Sequence, residues 1–144
     1  MSNVKQISVF VDNKPNQAAG VMRIIKESGV NLRALSLADT ADFGIIRFIA
    51  NDTEKAVEIL KEASYAVNVT EVLAISIPDT PGQLSRVLDV LGQDNVNVEY
   101  MYSFLGTSDR AVSFVIRVDD NAHASDVLTK NGIIQLTEND IAEM

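Results

Sequence analysis

The chain has 144 residues, 47% of them hydrophobic and 22% charged, the balance of a soluble protein with a packed core and enough length for one ordinary domain or two small ones leaning on each other. With 12 Lys and Arg against 20 Asp and Glu, the net charge of -8 opposes nucleic-acid binding and gives no reason to expect an anionic membrane as partner. The absence of cysteine excludes disulfides, thiolate metal sites and a cysteine nucleophile, and a single histidine, His123, excludes a histidine-cluster metal site.

Met1 to Lys5 lead straight into a short strand pattern with no long apolar stretch, so neither a signal peptide nor a membrane span is expected and the protein reads as cytoplasmic. Ile7, Val9 and Val11 alternate with Ser8 and Phe10, as in a half-buried strand. A helix is expected from Pro15 to about Ser28, where Gly29 stops it. Leu32 to Ala38 and Phe43 to Ala50 predict a hairpin around Asp39-Thr40-Ala41-Asp42. In its second strand Ile46, Phe48 and Ala50 fall on one side and Ile45, Arg47 and Ile49 on the other; the pattern leaves open which side meets the helices. A second helix from about Thr53 to Ala63 and a strand from Tyr65 to Val69 complete this half.

The second half repeats the first. Placing "VFVDNKPNQ" above "ISIPDTPGQ" sets Pro15 on Pro81 and Gln17 on Gln83. At the same offset "GVNL" falls on "NVNV", and Ala18, Val21, Met22 and Ile25 fall on Leu84, Val87, Leu88 and Leu91. Both sets follow the i, i+3, i+4, i+7 stripe of an amphipathic helix. Beyond a short insertion near Gly106-Thr107-Ser108-Asp109, Ala56, Ile59 and Leu60 fall on Ala124, Val127 and Leu128.

Each half therefore reads βαββαβ, which folds as a four-stranded antiparallel sheet with two helices on one face. The expectation is an α+β chain of two ferredoxin-like modules, residues 1–70 and 71–144, packed side by side. Neither side of the Phe43 to Ala50 strand is plainly polar, so part of the open sheet face should meet the other repeat or another chain. The charge divides unevenly, 8 basic and 8 acidic residues in the first module against 4 and 12 in the second. Part of that excess is the tail Glu138 to Glu143, most simply a solvated end.

The turn "PDTPGQL", Pro78 to Leu84, carries the most chemistry. Asp79 or Thr80 suits an N-cap, Pro81 the first helical position and Gln83 a capping box with Thr80. None of this requires Gly82, which lets a ligand approach the N–H groups at the positive end of the helix. No phosphate-loop pattern is present and no Lys or Arg flanks the turn, whereas Asp79 would welcome an ammonium group. The chemistry tilts toward a zwitterion. Asn97 and its repeat counterpart Asn31 follow the helices at strand starts, as turn residues or as ligand contacts. His123 reads as an ordinary exposed residue, Tyr100 and Tyr102 as a strand face, and Arg47 and Arg117 as sheet surface or interface.

The pattern D-x-P-G-x-L, a helix, then [GN]-V-N-[LV] resembles the ACT domain, twice and over essentially the whole chain. "NLRALSLADTADFGIIRFIAND" is similar to the first module of stand-alone tandem ACT proteins. The resemblance implies a regulatory module that binds a small effector, usually an amino acid, at the edge where modules meet. It implies contacts from Asp79, Thr80, Pro81, Gly82, Gln83 and Leu84, completed by Asn97 and Val98. In repeat one the corresponding set is Asn13, Lys14, Pro15, Asn16, Gln17, Asn31 and Leu32. There Asn16 replaces the glycine, so that a Cβ crowds the backbone, and Lys14 offers a lateral cation for a ligand carboxylate.

The expectation is thus a non-catalytic protein without cofactor or metal that binds a free amino acid, forms a homodimer and acts on itself or on a metabolic enzyme. An acylphosphatase-type hydrolase of the same fold would need an Arg in a glycine-rich loop after the first strand, which both turns lack. An RNA-binding module of RRM type would need clustered exposed aromatics among basic residues.

Overall fold

A computed structural model describes residues 3–39, 42–106 and 110–144. The expected hairpin tip at Thr40-Ala41 and most of the insertion, Thr107 to Asp109, lie outside the described residues. The first repeat builds β1 (Val4–Asp12), α1 (Gln17–Ser28), β2 (Leu32–Asp39), β3 (Phe43–Ala50) and α2 (Thr53–Glu62). The 13-residue strand β4 (Ala66–Pro78) then leads into α3 (Gln83–Gln93), β5 (Val98–Ser103), β6 (Ala111–Val118), α4 (Asn121–Lys130), β7 (Ile134–Gln135) and α5 (Glu138–Ala142).

All pairings are antiparallel, in the order β2-β3-β1-β4-β6-β5, with β7 also on β4. β4 serves both repeats. Ala66 to Val72 pair with β1, and Leu73 to Pro78 pair with β6. The expected division between residues 70 and 71 falls inside this strand.

Three apolar clusters form the core. Ile7, Val9 and Val11 pack under α1 and α2 with Ile46, Phe48 and Leu60, and Leu73, Ile75 and Ile77 pack under α3 and α4 with Val87, Leu91 and Leu128. The side of β3 left open by the sequence is thereby fixed: Ile46, Phe48 and Ala50 face the helices. The third cluster lies between the sheet faces turned away from the helices, where Ala34, Ile49, Val72, Ala74, Phe104 and Val115 meet. Fully buried Gln6 sits at this junction; its Nε2 donates to Tyr100 Oη at 2.7 Å and its Oε1 accepts from Tyr102 Oη at 2.6 Å. The Arg47 guanidinium stacks 4.1 Å above the Tyr100 ring centroid. Burial, and secondarily Tyr100, pushes the Tyr102 phenol well above its usual range, against a smaller opposing pull from Arg47.

Both second helices start alike: Asp52 accepts from Lys55 N and Asp120 from His123 N. His123 Nε2 also donates to Asp94 O at 2.8 Å, tying α4 to the end of α3, so this residue has a structural task despite its exposure. The tail corrects the reading of a solvated end. Thr137 and Asp140 form a capping box on α5, Ile141 is buried in the inter-module cluster, and Glu138 accepts from Lys5 N.

Candidate functional site

The two turns start their helices differently from what capping rules suggest. In the second, Gln83 N donates to Thr80 O and Gly82 has φ 87 and ψ -8, with no side-chain cap on α3. Pro at the second position and positive φ at the third are the signature of a type II turn over Thr80-Pro81-Gly82-Gln83. Asp79 and Thr80 are therefore not N-caps, Pro81 lies before the helix, and Gln83 is its first residue. Gly82 has a conformational reason that needs no ligand. The first turn repeats this: Gln17 N donates to Lys14 O, and Asn16 has φ 71 and ψ 0. Asn is the side chain best suited to stand where glycine would, which explains the substitution between repeats.

Around the first turn lies a cavity of about 270 Å³ lined by Asp12, Asn13, Lys14, Gln17 and Asp39 on its polar side and by Val11, Ala18 and Leu37 on its apolar side. Asn13 Nδ2 donates to Asp39 Oδ2 at 3.2 Å, joining the turn to the end of β2. Gly44 keeps the floor low, since a Cβ there would meet Val11 Cγ2 at 3.1 Å. Two carboxylates, one ammonium and an apolar wall suit a small zwitterion with an aliphatic part. Of the expected residues, Asn13, Lys14 and Gln17 line this cavity, while Pro15 and Asn16 shape the turn without lining it. Asp12, Leu37 and Asp39 were missed. Their signal was topological: β3 lies between β1 and β2 and brings the ends of both to one edge.

The second turn, Asp79 to Leu84, is exposed through Gly82, and Leu84 leans on the module core. Asp79 N donates to Arg110 O at 3.0 Å, and the adjoining Thr107 to Asp109 are outside the described residues.

The expected strand-start residues do not join either turn within one module. Val98 pairs with Val118 at one end of β6, and Pro78 pairs with Ala111 at the other. At about 3.3 Å per residue, those ends of Ala111–Val118 are more than 20 Å apart. Asn97 N instead donates to Asp119 Oδ1, and Asn31 N to Asn51 Oδ1, the same clasp in both repeats. Asn31 and Leu32 likewise sit at the Ala50 end of β3, remote from Asp12 and Phe43. A single module thus does not assemble the full expected set.

Tyr100 and Tyr102 face the junction of the sheets. Arg117 pairs with Glu99 at 3.2 Å and donates to Glu71 O at 3.1 Å. Among the described residues, no group of three or more His, Asp or Glu is placed to hold a metal ion, and no helix is long and apolar enough to cross a membrane.

Comparison with known proteins agrees with the duplicated fold. A protein of Bacteroides thetaiotaomicron is 36% identical, with a TM-score of 0.91 over 99% of this chain and 97% of that one. The ligand-free regulatory subunit of aspartate kinase from Thermus thermophilus shares the fold at 16% identity, with a TM-score of 0.66 and 92% of each chain covered. The corresponding subunit from Thermus flavus is 16% identical, with a TM-score of 0.61 over 90% and 93% of the two chains. No curated protein matches the sequence. The family model described as an ACT domain pair matches residues 2–144, and the chain belongs to that family.

Proposed function

We propose that this protein is a non-catalytic regulator that binds a free amino acid at the edge of an ACT module and converts occupancy into a change of conformation or assembly. The observation that carries this reading is the cavity beside the first turn, where Lys14 suits a carboxylate, Asp12 and Asp39 suit an ammonium, and Leu37 with Val11 suits an aliphatic side chain. Family membership supports it, as does the shared fold of two structures described as regulatory subunits of aspartate kinase. The regulated target is either the protein itself or an enzyme of amino-acid metabolism.

The expected contacts lie at opposite ends of a module, so the complete site takes its turn from one module and its strand start from another. A homodimer supplies that arrangement, with Asn31 and Leu32 or Asn97 and Val98 of one subunit facing the turn of the other. The ligand shifts the equilibrium only by the difference in its affinity for the two states.

A thermal-shift screen of the common amino acids tests the reading. A ligand at about 100 times its Kd stabilises the folded state by about 2.7 kcal/mol. Lys14→Ala should remove the response if the first turn holds the ligand, whereas Asp79→Ala should remove it if the second does. No response to any amino acid would overturn the reading.

A further inference from the structure

The start of β2 is held from three directions. Its pairing with β3 shifts register between Leu32 and Ala34, a bulge that leaves Arg33 as the extra residue. Arg33 O accepts from Leu105 N of the second module at 2.8 Å, and Ala34 bridges Phe104. The Arg33 guanidinium reaches the end of α5, donating from Nε to Ile141 O at 3.1 Å and from Nη2 to Ala142 O at 3.2 Å. A cation on the last carbonyls of a helix is favourable both as a hydrogen-bond donor and against the helix dipole.

The repeat shows that this reach is not a general property of the fold. β5 has the same irregularity, between Val98 and Tyr100, and its extra residue Glu99 pairs with Arg117 inside its own sheet. Arg33 alone of this pair crosses to the other module. What it grips is a five-residue helix, far too short to persist unaided in water. α5 therefore depends on its docking: Ile141 between the sheets, Glu138 on Lys5 N, and Arg33 on its last carbonyls. An element with so few anchors opens at lower free energy than the strands beneath it.

We propose that α5 is a latch that closes the second module on the first, and that Arg33 couples its closure to the start of β2, where Asn31 and Leu32 stand. The coupling rests on the proposed amino-acid site, and the latch does not. Closed, the latch fixes the bulge and with it the approach of Asn31 and Leu32 to a ligand; open, it releases both. By linkage, the factor by which closure tightens ligand binding equals the factor by which ligand favours closure.

Hydrogen exchange of the full chain tests both parts. Without ligand, Arg33→Met should speed exchange at Ile141 and Glu143 tenfold or more, and at Leu105 as well, while α2 and α4 stay protected. Ile141→Ala should do the same at α5 by removing the other anchor. Unchanged exchange in both variants would overturn the latch. Each common L-amino acid at millimolar concentration is then added in turn. The one that binds should, at saturation, slow exchange of α5 in the wild-type chain, and Arg33→Met should weaken its affinity by at most that same factor. Binding with neither effect would overturn the coupling and leave the site reading intact. Binding of none would overturn the site and the coupling together, with the latch still decided by the ligand-free comparison.

Discussion

Replacing Gly82 by Ala isolates the backbone contribution of the second turn. Gly82 has φ +87, and a Cβ built on it meets no atom within 4 Å, so the substitution adds no clash. What remains is the left-handed penalty of an L side chain, about 1–2 kcal/mol. Gly82→Asn should cost less, because Asn16 holds the same conformation at φ 71 in the first repeat. With about 2.1 cal/mol/K per residue of unfolding entropy, a chain of this length loses about 3 °C of Tm for each kcal/mol. Differential scanning calorimetry should therefore place Gly82→Ala about 3–7 °C below the wild type and Gly82→Asn between them. Gly82→Ala melting with the wild type would show that the residue is not held at positive φ in solution. Asn falling as far as Ala would refute the equivalence of the two turns.

Other consequences follow from the module junction and the tail. Gln6→Leu leaves the hydroxyls of Tyr100 and Tyr102 without their buried partner and should cost about 1–3 kcal/mol per stranded group, measured by urea unfolding. Because the phenol of Tyr102 is raised in the folded chain, the stability it contributes is complete below the ordinary value of 10.0 and is lost as pH rises beyond it. Tyr102→Phe should flatten that alkaline loss in a pH series of melts. Asp140 behaves oppositely: bonds from Thr137, backbone first and hydroxyl second, depress its carboxyl below the usual 3.8, so its contribution is present above that value and lost as pH falls through the depressed one. Exchange at α5 should accelerate in that acid window, and Asp140→Asn should remove the pH dependence. If no acceleration occurs, the capping box is not formed in solution.

Much of the architecture was legible because duplication doubled each weak signal. A Pro, a Gln or one amphipathic stripe means little alone; in register twice, they fix the βαββαβ order. The single strand β4 was not legible, since Tyr65 to Val69 and the run at Ile75 each read as a complete strand and nothing marks where one repeat's pairing ends. The turn was misread for a related reason. Thr, Pro and Gln satisfy the rules for an N-cap and for a type II turn alike, and only the positive φ of Gly82 and Asn16 separates them. The cavity's missing wall, Asp39 with Leu37, lies on a strand that is distant in sequence and adjacent only through β3. The tail was misread because charge dominates its composition, while one apolar residue, Ile141, decides its place.

The misreadings that concern the junction of the modules bear on how the molecule works. The features that sequence symmetry revealed belong to each module: two cores and two turns. Among the features it hid are those that join the modules, namely β4, the Gln6–Tyr100–Tyr102 group and the grip of Arg33 on α5. In the other repeat Val72 stands at the position of Gln6 and Glu99 at that of Arg33, so neither contact is repeated. Such contacts favour one arrangement of the two modules over others, and a ligand acts only through the difference in its affinity for those arrangements. The polar groups buried at the junction sharpen this. An apolar seam tolerates small slips, whereas Gln6 bonded to two phenols accepts one alignment and penalises the rest. Under the proposed latch, closure of the two modules is a transition between distinct states rather than a gradual deformation, and such a transition is what a ligand can bias.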